Sequence, residues 1–409
     1  MVKSTIAAAA TAALFLITAV SAFPPPGGPG RHLHGVNPGP GLHPGPKSKP
    51  VPDATGIPAA CPNPIIRKEW RSLSATEQTK YISAVKCLIN LPSIATSVGG
   101  ALNRFDDFQG VHSMQTPDIH FVVCFPLSPS LLLPFRLLLS LEILTCQKGH
   151  FLHWHRYMVH LYETTLRSSC SYKGAQPYWD WFIDIDSSLE MDQWSIFALP
   201  TPETGFGGNG LFIPSESLTP EQNPFNLTGR TGGGCVQTGA FTQENGFKVN
   251  LNKTDPQRTD PKCLTRDFME GIARGLLKHE VVDELMVKTD FEGFARRMEG
   301  EPSFDYPNVH GGGHYGVGGV LGTLGDAYNS PGDPLFYLHH ANVDRLWTLW
   351  QLQNPEYVMS VGGPIAPFDY EGAQVDLDFE VNLAELGPSR KLAELQYTRG
   401  PLMCYMYDH

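Results

Sequence analysis

The stretch GHFLHWHRYMVHLYETTLR, residues 149–167, decides the fold class. Leu152, His155, Val159, Tyr162 and Leu166 recur at intervals of three and four, which marks one face of an α-helix. His155 therefore lies in an apolar stripe. His153, Arg156, His160, Glu163 and Arg167 fall on a neighbouring polar stripe. A lone histidine on an apolar face is more often a satisfied core residue than a ligand. The other histidines of the chain change that balance.

NVHGGGHYGVGG, residues 308–319, sets His310 and His314 four apart, so that on a helical turn both project from one side and can share a metal ion. Each intervening glycine weakens such a helix by roughly 1 kcal/mol relative to alanine, so surrounding structure must hold it. A glycine-rich loop with incidental histidines is the competing reading of this segment. SPGDPLFYLHHANVDRLWTLW, residues 330–350, offers His339 and His340 on a third helical pattern over 334–352. Asp333 can cap it, with Pro334 at its first position, where a missing N–H costs nothing. Phe336, His340, Val343, Trp347 and Trp350 form one stripe, and His339 lies beside Leu335, Leu346 and Leu349, so periodicity does not choose between the two histidines. Asp344, one turn after His340, is positioned to orient a ligand imidazole. DDFQGVHSMQTPDIH, residues 106–120, adds His112 and His120. Imidazole ligation suits copper, zinc, iron or nickel and does not by itself decide among them.

The rest of the 409-residue chain is consistent with one large, mainly helical domain with long loops. Ser74-Ala-Thr-Glu77 is a capping box that opens a helix bearing Tyr81, Ile82, Val85 and Leu88 on one face. Residues 200–260 are rich in Gly, Pro, Thr and Asn and read as surface loops. A net charge of −11 argues against a nucleic-acid partner. Residues 1–22 read as an export signal, with Lys3, an apolar run and a small-residue cleavage site before Phe23. Export implies an extracellular protein, no membrane anchor after cleavage, and disulfides among the eight cysteines. Residues 23–60 contain 19 Pro or Gly in 38 positions and read as a flexible leader or propeptide, with folding from Cys61. Asn226 and Asn252 head Asn-x-Thr triplets and are candidate glycan acceptors. Nothing in the pattern sets an oligomeric state.

The order DDFQGVH, IH, FLHWHRYMVHLYE, PYWDW, VHGGGHYGVGG, SPGDPLFYLHHANVDRLW and CYMYD resembles the tyrosinase and catechol oxidase family of type 3 copper proteins, from Cys61 to the end of the chain. The resemblance implies an antiparallel four-helix bundle that holds two copper ions and takes O₂ as co-substrate. It places His112, His120 and His155 on one copper and His310, His314 and His340 on the other, with His339 as a buried neighbour. It implies oxidation of small phenols, catechols to o-quinones above all, with aminophenols as further substrates. Family tyrosinases that hydroxylate monophenols often carry Asn after the first ligand of the second copper. Here that position is Gly311, and Tyr315 follows the second ligand. The resemblance therefore implies diphenol oxidation with weak hydroxylation, a full tyrosinase being the alternative. Glu301 stands where the family has a water-orienting glutamate and is the candidate catalytic carboxylate. Asp118 replaces the cysteine that some members cross-link to the second ligand, so no thioether is expected. The chain ends just after the family's Tyr-x-Tyr motif, which implies a short, fungal-like form without a C-terminal plug domain. A haemocyanin-like oxygen carrier is the alternative from another class.

One run departs from the family pattern. The family spaces the second ligand and the Trp-His ligand by eight residues, whereas 34 separate His120 from His155. Deleting Val122 to Gln147 leaves IHFKGHFLHWHRY and restores the eight. Those 26 codons match a compact intron in size, and Val123-Cys124 and Gln147 are compatible with donor and acceptor sequences. A transmembrane helix needs about 20 apolar residues, and Pro126, Pro129, Pro134, Arg136 and Glu142 interrupt this run. As a surface loop, LLLPFRLLL would be an aggregation hazard. Residues 122–147 therefore read as a retained intron. In the chain as written, His150 could compete with His120 for the first metal.

Overall fold

The computed structural model describes residues 57–120, 148–198, 201–220, 222–223, 228–300, 307–366, 369 and 371–408. The signal sequence, most of the leader, the 122–147 run with Cys124 and Cys146, Asn226 and Glu301 lie outside the described residues. The described part is mainly helical. Ten helices run α1 (Ala75–Asn90), α2 (Arg104–Ile119), α3 (Phe151–Ser169), α4 (Trp181–Ile185), α5 (Glu270–Leu276), α6 (His279–Met286), α7 (Phe291–Glu299), α8 (Val309–Gly318), α9 (Leu335–Gln353) and α10 (Leu392–Leu395). Strand pairs are short: β1 (Ile65–Arg67) is parallel to β8 (Tyr405–Tyr407), while β2 (Gly210–Phe212) with β3 (Gly233–Val236), β4 (Val249–Leu251) with β5 (Thr259–Lys262), and β6 (Glu380–Val381) with β7 (Arg390–Lys391) are antiparallel.

Local signals start the helices where the sequence places them. Ser74 and Glu77 form the capping box of α1, whose buried face carries Tyr81, Ile82, Val85 and Leu88. The Asp333 carboxylate accepts from the Leu335 N–H at 3.0 Å and also pairs with the buried Arg266, which ties the start of α9 to the strand side of the molecule. Residues 200–260 depart from the surface-loop expectation. Phe206, Phe241, Phe247, Val249 and Leu251 are buried, and β2–β5 form beneath a Cys235–Cys263 disulfide. Glycine and threonine composition described the turns there and not the apolar residues between them. Cys87–Cys170 joins α1 to the end of α3, and Cys61–Cys404 links the segments that lead into the β1–β8 pair.

The polar stripe of α3 is not at the surface. Arg156 and Glu163 are 1% exposed and His153 is fully buried. They are paired: Arg67 donates to Glu163 at 2.7 Å and Arg156 Nε donates to Asp344. Asp344 therefore does not orient a ligand imidazole. Its carboxylate accepts from Arg67, Arg156, Tyr405 and Tyr407. Burial would raise its pKa, but the Arg156 and Arg67 guanidinium groups outweigh burial and hold the carboxyl below its usual range. The Arg67 guanidinium stacks on Tyr405 and that of Arg156 on Trp347, each 3.5 Å from the ring centre. One carboxylate thus joins β1, α3, α9 and β8. Asp344→Ala would leave the buried Arg156 guanidinium without an anionic partner and Arg67 with Glu163 alone, and is expected to lower unfolding free energy by about 3–5 kcal/mol in urea denaturation. A loss below about 1 kcal/mol, the scale of an exposed ion pair, would contradict this arrangement.

Candidate metal centre

Four helices deliver six histidines to one place. His112 lies on α2 and His120 directly follows it, His155 is on α3, His310 and His314 are on α8, and His340 is on α9. In His112, His120 and His155 one ring nitrogen each lies within 4.8 Å of the others, and the same holds for His310, His314 and His340. All six are buried. The two groups face each other. The His155 and His340 rings stack with centres 4.4 Å apart, and His120 stacks over His310 at 6.2 Å.

α8 forms despite its glycines because its packing requires them. Asn308 caps it, accepting the Gly311 N–H at 2.6 Å. A Cβ at Gly312 would stand 2.8 Å from Leu277, and one at Gly313 would collide with the His339 ring. The helix therefore approaches α5 and α9 more closely than any side chain would permit. His339 is fully buried and its Nε2 donates to the His310 carbonyl at 3.0 Å, so it braces the segment and belongs to neither group.

Backbone carbonyls set the ring orientations. The Nδ1 atoms of His112, His155 and His314 lie 2.9, 2.9 and 2.8 Å from the carbonyls of Tyr328, Phe151 and Leu324. A proton on each Nδ1 leaves Nε2 as the free lone pair, the tautomer that a metal requires. The Nε2 atoms of His112, His155 and His310 are buried with no hydrogen-bond partner, and those of His314 and His340 approach to 3.1 Å. Unsatisfied buried acceptors converging in this way fit a pair of cations. Burial pushes the His112 pKa down to about 3 and the His314 pKa to about 4, and carries those of His120, His155, His310 and His340 well below the ordinary value. Six neutral imidazoles are the result.

His150 is not in the first group. Its Nε2 donates to the Asp118 carbonyl at 2.8 Å, and Lys148 Nζ lies 3.7 Å from the Asp118 carboxylate. These contacts bring the two flanks of the 121–147 run together beside His120. A narrow cleft reaches the histidines from solvent, lined by His120, His310 and His314 at its base and by Gly311, Tyr315 and Asp326 among its walls. The backbone carbonyls, the Asn308 cap and Asp326 are parts that sequence reasoning did not identify. Asn308 was visible as a cap residue just before the Val309-His310 start. A carbonyl acceptor has no residue signature.

Residues 102–353 match the common central domain of tyrosinase. The chain belongs to the tyrosinase family. Over 363 residues it is 31% identical to the tyrosinase-like protein phomQ1 of Diaporthe leptostromiformis, covering 85% of this chain and 78% of that one. It is also 31% identical to tyrosinase P of Aspergillus terreus over 372 residues, 85% of this chain and 93% of the relative. A solved polyphenol oxidase from Thermothelomyces thermophila superposes with a TM-score of 0.66 at 29% identity, covering 84% of this chain and 89% of that structure. The two histidine groups fit the dicopper site of this family, whose members use O₂ as co-substrate and act on small phenols.

Neutral imidazoles give the tyrosinase-family site a defined acid response. Each has a folded-state pKa below its unfolded value of about 6.5, so the unfolded chain binds more protons. The stability held by the neutral forms is present above that value and is lost as pH falls towards about 4 and about 3. The copper-free protein is expected to show a melting temperature that drops steeply from about pH 6.5 to about pH 4 by calorimetry. A flat profile over that window would contradict the buried, neutral state.

Proposed function

We propose that this copper oxidase acts chiefly on o-diphenols and o-aminophenols and hydroxylates monophenols weakly. His112, His120 and His155 would hold one copper and His310, His314 and His340 the other, at the centre of an antiparallel bundle of α2, α3, α8 and α9. Bound copper supplies O₂ binding and the two-electron redox capacity by which two catechols and one O₂ give two o-quinones and two waters. The chain's own part is to keep six imidazoles neutral and oriented, to keep the site dry, and to admit a planar ring. Phe151 and Phe336 serve the second purpose, lying 4.7 Å from the His310 ring and 4.1 Å from the His340 ring.

The observation that carries the diphenol preference is Gly311. It lines the cleft, and its only hydrogen-bonding group, the backbone, is engaged with the Asn308 cap on the N–H side. No carboxamide stands there to help a carboxylate take a phenolic proton. The Glu301 role is part of the same proposal. A Gly311→Asn side chain would begin 2.8 Å from Asn308 Oδ1, so the cap must shift to admit it. We expect Gly311→Asn to raise the ratio of monophenol to diphenol turnover by about tenfold, the low end of what a positioned base contributes, read as oxygen uptake on matched phenol and catechol. An unchanged ratio in a copper-replete variant would sink the assignment of Gly311. Failure of the parent enzyme to oxidise any simple catechol would sink the whole reading.

We also propose that the chain is exported, with residues 1–22 as signal, 23–60 as leader and a glycan on Asn252, and that the functional form lacks residues 122–147. Three disulfides among the described residues support export. The Asp118 contacts with Lys148 and His150 support the shorter form, because they join the flanks without any residue of the run.

A further inference from the structure

We infer that the cleft selects phenols by charge, through Asp326, favouring a ring substituent that ends in a protonated amine over one that ends in a carboxylate. This rests on the phenol-oxidase reading and adds a substrate class to it. Among the described residues that line the cleft, Asp326 is the one with a carboxylate, and none is a lysine or arginine.

The position of that carboxylate is fixed. Its Oδ1 accepts the backbone N–H groups of Tyr328 and Asn329, both at 3.0 Å. The same turn presents the Tyr328 carbonyl that holds His112, so Asp326 cannot drift from the cleft without loosening a metal-site histidine. Its Oδ2 is 3.1 Å from Lys253 Nζ. Lys253 does not line the cleft above the histidines. It lines an adjoining cleft that shares Asp326, with Gln109, Val249 and Lys262. The carboxylate residue therefore borders the cleft that leads to the histidines, and its lysine partner stands off it.

The lysine side chain is 60% exposed while that of Asp326 is 12% exposed, so solvent screens the lysine more than the carboxylate. A carboxylated phenol entering the cleft would meet the field of that carboxylate, and a phenolic amine its reverse. The net charge of −11 adds the same sign at longer range.

The test is binding of dopamine, ethylcatechol and dihydroxyphenylpropionate to the zinc-loaded protein, which fills the histidine site without turnover, by titration calorimetry. The expected order of affinity is amine, ethyl, carboxylate. Asp326→Asn, which keeps an acceptor for the 328–329 turn, is expected to shrink the amine-to-carboxylate ratio about threefold to tenfold, and Lys253→Gln to widen it, as a screened unit charge a few ångströms away would. A wild-type protein that binds the carboxylate as tightly as the amine, or a ratio moved by neither substitution, would overturn the inference. Oxidation is scored separately with the copper enzyme. If ethylcatechol is bound with zinc yet never oxidised with copper, the phenol-oxidase reading fails while charge selection is still decided by the binding ratios.

Discussion

The metal centre depends on a buried carboxylate that touches none of its histidines. Asp344 sits one turn beyond His340 on α9 and takes Arg156, the residue after His155 on α3, into an ion pair. That pair fixes the rotation of α3 against α9, and with it the stacking of His155 on His340 at 4.4 Å. Arg67, Tyr405 and Tyr407 attach β1 and β8 to the same carboxylate. A buried ion pair is a weak source of net stability, because desolvation offsets most of its attraction. What it enforces is register, since a slipped helix would strand charges in the core. Metal sites need that kind of precision, for a ligand displaced by one turn is no ligand at all.

α8 solves a different problem with the opposite chemistry. Two ligands must stand four apart on a segment pressed between α5 and the His339 ring, and only glycine leaves room. Such a helix is intrinsically poor, so it is held from outside by the Asn308 cap, by the His339–His310 hydrogen bond and by its neighbours. The metal would add a further restraint, coupling copper binding to local order in this segment.

Helix periodicity and capping chemistry located α1, α3 and α9 within a residue or two, because both signals are local in sequence. The six histidines were legible as motifs; periodicity did not choose between His339 and His340, since both lie on apolar stripes, and the choice of His340 came from the family resemblance and matches the packing of His339 against α8. The polar stripe of α3 was legible and its burial was not, because the partners of Arg156 and Glu163, Asp344 and Arg67, lie 188 and 96 residues away in sequence. Asp344 itself was assigned to an imidazole on the strength of its spacing, whereas two guanidinium groups compete for it more strongly. In residues 200–260 glycine content hid a buried set of aromatics, since composition averages over turns and the core residues between them.

On the proposal that the functional form lacks residues 122–147, the two histidine groups are set by the framework around them and do not need that run. The flanks of that run already meet at Asp118, through Lys148 and His150, and the spacing left without it is eight residues. The most direct measurement is copper per chain, by elemental analysis, in protein lacking residues 122–147. Two coppers per chain, as in the dicopper site that the six histidines fit, is the predicted result. One copper in a folded protein, with His310, His314 and His340 still loaded, would show that the first group needs the deleted residues and would contradict the account.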